Sequence, residues 1–180
     1  MKQLERRTWA EISLPDLEHN YRALRAMLAP GCRFLGVVKA NAYGHGAVRV
    51  AQKLEQLGAE YLAVACLGEA VELREAGIRA PILILGYTPA DCGGELLRYG
   101  LTQTIYDAET ARAFSEAACR AGKRLRVHVK ADTGMSRLGW LCGGAALERD
   151  FFWPGEHRYV SYHNADYTPV SYTHLRAHET

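Results

Sequence analysis

The chain has 180 residues, a formal net charge of +2, 48% apolar residues and 23% charged ones. That length supports one domain with a real core and that balance is ordinary for a soluble protein, while no charge excess calls for nucleic acid or another polyanion as partner. No apolar run approaches the roughly 18 residues that a membrane span needs, and the opening "MKQLERRTWAEI" lacks the apolar segment of a secretory signal.

Cysteines stand at 32, 66, 92, 119 and 142. The number is odd and no pair has C-x-x-C spacing. This reads as reduced thiols in a cytoplasmic protein, packed as small apolar side chains, rather than as a disulfide framework or a zinc site.

From residue 13 the sequence keeps one rhythm. Ser13 is a plausible helix cap, with Asp16 three residues on. Leu17, Tyr21, Leu24 and Leu28 are spaced for one helix face before Pro30 stops it. "FLGVV" (34–38) is short and continuously apolar, as in a buried strand. Ala47, Val50, Ala51, Leu54 and Leu57 share the face of a second helix, which ends at Gly58. Strand "YLAVAC" (61–66), helix "EAVELREAG" ending at Gly77, and strand "PILILG" (81–86) follow. A weaker helix lies around 90–99, ending at Gly100. Strand "LTQTIY" (101–106) leads to a helix capped by Asp107, with Ala111, Phe114, Ala118 and Ala121 on one face and Gly122 past its end. Strand "RLRVHVKAD" (124–132) closes the series.

Such alternation predicts parallel strands joined by right-handed crossovers, hence an α/β protein. Two architectures fit: an open doubly wound sheet, or a (β/α)8 barrel of the TIM type. The dinucleotide turn G-x-G-x-x-G follows none of the strands, which counts against nucleotide binding. A barrel needs eight units and about 250 residues. About five β/α units are present, so as a barrel the chain is incomplete.

Beyond residue 148 the character changes. Residues 149–180 show no helical or strand period, and the ending "PVSYTHLRAHET" reads as translated vector or adaptor sequence, a non-native tail to be kept out of fold reasoning. His174 and His178 are spaced i, i+4 there, but without an H-E-x-x-H pattern they predict no metal site.

Chemistry is expected where parallel strands end. Lys39 follows the apolar run "FLGVV", a setting that desolvates an amine and favours its use as a nucleophile. The segment from Lys130 to Arg137 follows the last strand, and "DTGMSRLG" places Asp132, Gly134 and Arg137 on a turn, where a guanidinium offers a fixed fork to a carboxylate or phenolate. A lysine capping a strand is more often a solvated charge, so pattern alone leaves its role open.

The stretches "RTWAEISLPDLEHNYRALR", "VVKANAYGHGA", "PILILG" and "VHVKADTGMSRLG" together resemble the N-terminal barrel domain of the alanine racemase family, from about Arg7 to Cys142. The resemblance implies an incomplete barrel domain over residues 7–148 that binds pyridoxal 5′-phosphate. It implies a cytoplasmic, homodimeric enzyme acting on a small amino acid: it interconverts L- and D-alanine and supplies D-alanine for peptidoglycan. Lys39 matches the lysine that holds the cofactor covalently, Tyr43 the tyrosine that bonds its phosphate, and Arg137 the arginine near its phenolic oxygen and the substrate carboxylate. Lys130 matches a lysine that some members carry as a carbamate orienting that arginine, and Leu85 is placed near the cofactor ring. In the family the acid–base group for the opposite face of the substrate comes from the second domain of the partner subunit, so the fragment alone is expected to be inactive. A relative acting on serine is one alternative. A non-catalytic pyridoxal-phosphate-binding barrel is another, but that class lacks the "KANAYGHG" continuation and the "RTWAEI" leader.

Overall fold

The computed structural model describes residues 8–132 and 135–141. The tail at 149–180, with His174 and His178, and Gly134 of the turn lie outside the described residues, as does Cys142. The elements alternate as the sequence predicts: α1 (Leu14–Ala26), β1 (Leu35–Val37), a five-residue turn α2 (Lys39–Tyr43), α3 (Ala47–Gln56), β2 (Tyr61–Val64), α4 (Leu67–Glu75), β3 (Ile82–Ile84), a 3-10 turn (Ala90–Cys92), α5 (Gly93–Arg98), β4 (Thr102–Ile105), α6 (Ala108–Arg120) and β5 (Arg126–Val129). Two short strands, β6 (Ala131–Asp132) and β7 (Trp140–Leu141), pair separately.

Strand order decides between the two architectures. The main sheet runs β1-β2-β3-β4-β5, every neighbouring pair parallel. An open doubly wound sheet reverses direction at a switch point. Here each crossover steps the same way, as around a barrel, and the chain supplies five of its strands.

The helices lie against one face of the sheet. A Cβ added to Gly36 would stand 2.6 Å from Leu54 Cδ1 of α3 and 3.3 Å from Leu62 Cδ2 of β2. Gly36, Leu62, Ile82 and Gln103 are thus on the helix side, and Leu62, Val64, Ile82, Ile84, Leu96 and Phe114 form the centre of the core there. The predicted apolar faces of α3 and α6 are buried at Val50, Ala51, Leu54, Phe114 and Ala118, whereas Ala121 at the end of α6 is exposed.

The predicted face of α1 needs correction. Tyr21 is buried against Phe34, ring centroids 4.7 Å apart, but Leu24 and Leu28 are exposed. The packed stripe steps Leu17, Tyr21, Arg25, and the third place belongs to a guanidinium whose stem lies along the body while its head grips Glu60. Leu24 falls on the flank of that stripe, and Leu28 lies past the helix end.

Glu60 ties three elements at the amino end of the sheet. It accepts two bonds from Arg25 and one from the Phe34 N–H at 2.7 Å. The Arg25 guanidinium, working against burial and helped by the Phe34 amide, holds its carboxyl at about 2 instead of 4.5. A depressed carboxyl pKa stabilises the fold above the unfolded-state value and stops doing so as pH falls through the folded-state value. The Glu60 side chain is 32% exposed, so solvent screens the pair. Glu60→Gln is therefore expected to lower stability by only about 1–2 kcal/mol at neutral pH. In urea melts taken across the acid range, that difference should shrink as pH falls from 4.5 and vanish near 2.

Candidate active site at the carboxyl ends of the strands

Side chains alternate across a sheet, so the register fixes which residues share the face away from the helices. The row Val37, Ala63, Leu83, Thr102, Arg126 crosses that face. Lys39, Leu85 and Lys130 stand just past the carboxyl ends of β1, β3 and β5, so three of the expected site residues lie at the same end of the sheet. Each is half-buried.

Lys39 leaves the ladder at a sharp change of backbone. Val38 N–H still bonds the Ala63 carbonyl at 2.8 Å. Then Ala40, Asn41, Ala42 and Tyr43 all take left-handed conformations, with φ of 52°, 53°, 50° and 51°. Each non-glycine residue held so costs about 1–2 kcal/mol, and such a run persists only where its surroundings over-determine it. They do. Ala42 N–H bonds the Val38 carbonyl at 2.9 Å; Gly44 and Gly46 N–H both bond the Asn41 carbonyl, at 3.0 and 3.1 Å. The Asn41 side-chain oxygen accepts from the Ala47 N–H at 2.8 Å, doing for α3 what a cap residue usually does. His45 Nδ1 stands 2.8 Å from the Ala42 carbonyl oxygen, which fixes that nitrogen as the protonated one. The glycines bracketing His45 have φ of 89° and 86°, and the backbone needs them there.

This turn sets Lys39 and Tyr43 together: the Lys39 Nζ lies 6.0 Å from the centre of the Tyr43 ring. Tyr43 is 68% exposed. Val37 at the end of β1 and Tyr87 past β3 are also exposed apolar surface, as is Met135 in the turn after β6.

On the other side of the sheet, β5 stops sooner than the sequence predicts. Lys130 N–H still bonds the Ile105 carbonyl at 2.9 Å, but the Lys130 carbonyl turns away to accept from Trp140 N–H at 2.9 Å. The chain then leaves β4 for the small β6–β7 pair. The intervening turn is pinned where the buried Asp132 side chain accepts from the Ser136 N–H at 2.9 Å, and Ser136 has a φ of 56°. Arg137 is carried by this turn. Burial, and then the nearby charges of Arg137 and Lys39, push the Lys130 amine below its ordinary value. Three cations from two ends of the sheet thus share one neighbourhood.

His128, two residues before Lys130 on the same face, is pushed down by burial and lies 5.9 Å from the Tyr61 ring, whose hydroxyl bonds Thr102 Oγ1 at 2.7 Å. Sequence reading singled out neither Tyr61 nor His128. A third unanticipated residue is Glu69 in the first turn of α4, which accepts from the Ala40 and Ala65 N–H groups. An acid in a first helical turn ordinarily signals only the helix dipole, so no pattern would have marked it.

Two open clefts of about 360 and 490 Å³ lie elsewhere, one between α1 and the end of α3, the other beside α5 and α6. Both are grooves between helices and neither touches Lys39. Among the described residues no group of three or more His, Cys, Asp or Glu side chains is arranged to hold a metal ion. Nor is any helix among them long and apolar enough to cross a membrane.

The fold defines the chain as an α/β-barrel protein with Lys39, Lys130 and Arg137 at one end of its sheet. The family described as alanine racemase, N-terminal domain, matches residues 12–148. Alanine racemase of Desulfovibrio desulfuricans is 48% identical over 139 residues, covering 77% of this chain and 38% of that protein. That of Carboxydothermus hydrogenoformans is 50% identical over 135 residues, covering 75% and 36%. The solved alanine racemase of Clostridium difficile superposes with a TM-score of 0.77 at 41% identity, covering 83% of this chain and 39% of that one. The chain belongs to the alanine racemase N-terminal domain family. It spans a little over a third of the length of these relatives.

Proposed function

We propose that these residues form the cofactor-binding end of a pyridoxal-phosphate-dependent amino-acid racemase that interconverts L- and D-alanine in the cytoplasm and so supplies D-alanine for peptidoglycan. Residues 7–148 are its barrel portion, and the active form is a homodimer of the longer protein. The observation that carries the reading is the placement of Lys39 just past β1 with its Nζ 6.0 Å from the Tyr43 ring, at the end of the sheet that also carries Lys130.

The donor set suits the cofactor. A half-buried primary amine fits an aldehyde, the neighbouring cations fit a phenolate and a carboxylate, and Leu85 with the exposed apolar side chains offers surface for a ring. When bound, pyridoxal phosphate supplies a conjugated ring that accepts the electron pair left at the substrate Cα. Lys39 provides the amine that holds it and, when that amine is free, takes or returns the Cα proton on one face. Arg137 orients the substrate carboxylate and neutralises the phenolic oxygen. The Tyr43 hydroxyl donates to the phosphate.

Lys130 has a further part. Its depressed pKa raises the fraction of neutral amine, the form that adds carbon dioxide. The amine nitrogen bonds the carbon of carbon dioxide and loses a proton to solvent, which leaves a carbamate, an anion near two cations that otherwise repel the ammonium. It orients Arg137.

The test is covalent trapping. The chain is incubated with pyridoxal 5′-phosphate, reduced with borohydride and digested, and the labelled peptides are mapped. The label is expected on Lys39, and Lys39→Ala is expected to remove it. A label spread evenly over surface lysines would sink the reading.

A further inference from the structure

Glu69 joins two strand ends through one carboxylate. Its Oε1 accepts from the Ala40 N–H and its Oε2 from the Ala65 N–H, each at 2.7 Å. Both amides stand just past the β1–β2 ladder, whose last bond runs from Val38 N–H to the Ala63 carbonyl. Strand pairing between β1 and β2 has ended there, and the carboxylate supplies the acceptor to the half-buried Ala65 N–H and to the more exposed Ala40 N–H. The Ala40 amide is also the peptide that follows Lys39. Gripping it fixes the backbone rotation at Lys39, at the step where the chain passes into four successive left-handed residues.

We propose that Glu69 is a positioning residue for Lys39: by bridging the Ala40 and Ala65 N–H groups it sets where the Lys39 amine stands at the end of the sheet, and hence how readily that amine meets an aldehyde. The inference rests on the reading of Lys39 as the cofactor-binding amine.

The bridge has a definite chemical requirement, two acceptor oxygens at the reach of a glutamate. Glutamine has the same length but only one acceptor, and its amide NH2 would face an N–H, so one of the two bonds is lost whichever way it turns. Aspartate keeps both oxygens and the negative charge in the first turn of α4 but is one methylene shorter. A residue serving only the helix dipole tolerates aspartate; one that spans two strand ends does not.

The experiment uses the whole 180-residue chain as wild type, Glu69→Gln and Glu69→Asp. Amide hydrogen exchange is followed by NMR, and the rate of borohydride-trapped labelling by pyridoxal 5′-phosphate is followed at Lys39, with exposed Lys123 as internal reference. In both variants, exchange at one or both of Ala40 and Ala65 should rise and labelling at Lys39 should fall, each about tenfold, the effect expected for one lost hydrogen bond. Exchange at Ile84, in β3 at the centre of the sheet, and labelling at Lys123 should stay as in wild type. Wild-type labelling at Lys39 that either variant leaves intact overturns the inference while the reading of Lys39 stands. Lys39 labelling no faster than Lys123 in the wild-type chain overturns both. A variant that loses protection at Ile84 makes Glu69 a residue of folding and likewise overturns it.

Discussion

Replacing Lys39 by alanine is expected to abolish racemisation by the enzyme that carries these residues at the full length of its relatives. A positioned acid–base group contributes about 10²–10⁴ in rate, and here the same amine also holds the cofactor, so the loss should be at least about a thousandfold. Lys39→Arg should fare no better: it keeps a positive charge beside Tyr43, but a guanidinium does not give up its proton and cannot serve as base or nucleophile. A small primary amine added to Lys39→Ala should restore part of the rate by supplying the missing group from solution. Stability is expected to change by no more than about 0.5 kcal/mol, because the Lys39 side chain is half-buried and stands past the last ladder bond of β1. Chiral analysis of alanine after incubation measures the rate, and a urea melt checks the fold. A Lys39→Ala enzyme working near the parental rate would remove the chemical basis of the assignment.

Much of this was legible in the sequence, and the parts that were not have identifiable physical causes. The helices and strands were readable because α3 and α6 keep the period of a one-faced helix through Val50, Leu54, Phe114 and Ala118, and because the strands are short apolar runs between helix-ending glycines. Whether the sheet was open or part of a barrel was not readable, since both share the same local alternation; strand order alone separates them. On α1 the period misled, because it counts only apolar residues and the packed stripe includes the Arg25 stem. The resemblance named Lys39, Tyr43, Leu85, Lys130 and Arg137, and the structure sets Lys39 beside Tyr43 at the end of the sheet where Leu85 and Lys130 also stand. What the sequence could not show is how Lys39 is held. Left-handed conformations in Ala40, Asn41, Ala42 and Tyr43 run against the preference of alanine and tyrosine, though not of asparagine. The bonds that hold them, local ones within the turn together with those to the start of α3 and to Glu69, 29 residues from Ala40, carry no sequence pattern. The early end of β5 has the same kind of cause, a carbonyl at Lys130 claimed by Trp140 rather than by β4.

The second large effect is expected at Gly86, immediately past β3. Its N–H donates to the Ala65 carbonyl at 3.1 Å, and its own carbonyl accepts from the buried Gln103 side chain at 3.0 Å. Gln103 is held in turn by Thr88, whose hydroxyl donates to its side-chain oxygen at 2.7 Å. The Gly86 peptide is thus fixed from β2 on one side and β4 on the other. A Cβ placed on it would lie 2.5 Å from the Ala65 carbonyl oxygen, and that atom is backbone, with no rotamer by which to move aside. Gly86→Ala is therefore expected to destabilise by about 3 kcal/mol, the upper end of what overpacking costs. Gly94→Ala is the comparison: it lies in α5 with nothing within 4 Å of its added carbon, so the same chemical change should leave stability equal or raise it by up to about 1 kcal/mol. Urea melts of the two variants separate close approach from a general sensitivity to added methyl groups, and equal midpoints would refute the constraint. The strain at Gly86 also has a direction. It pushes on the Ala65 residue whose N–H is held by Glu69, and Glu69 holds the peptide after Lys39. Gly86→Ala should accordingly slow pyridoxal phosphate labelling at Lys39 under conditions where the variant is still folded, although position 86 contributes no side chain to the chemistry.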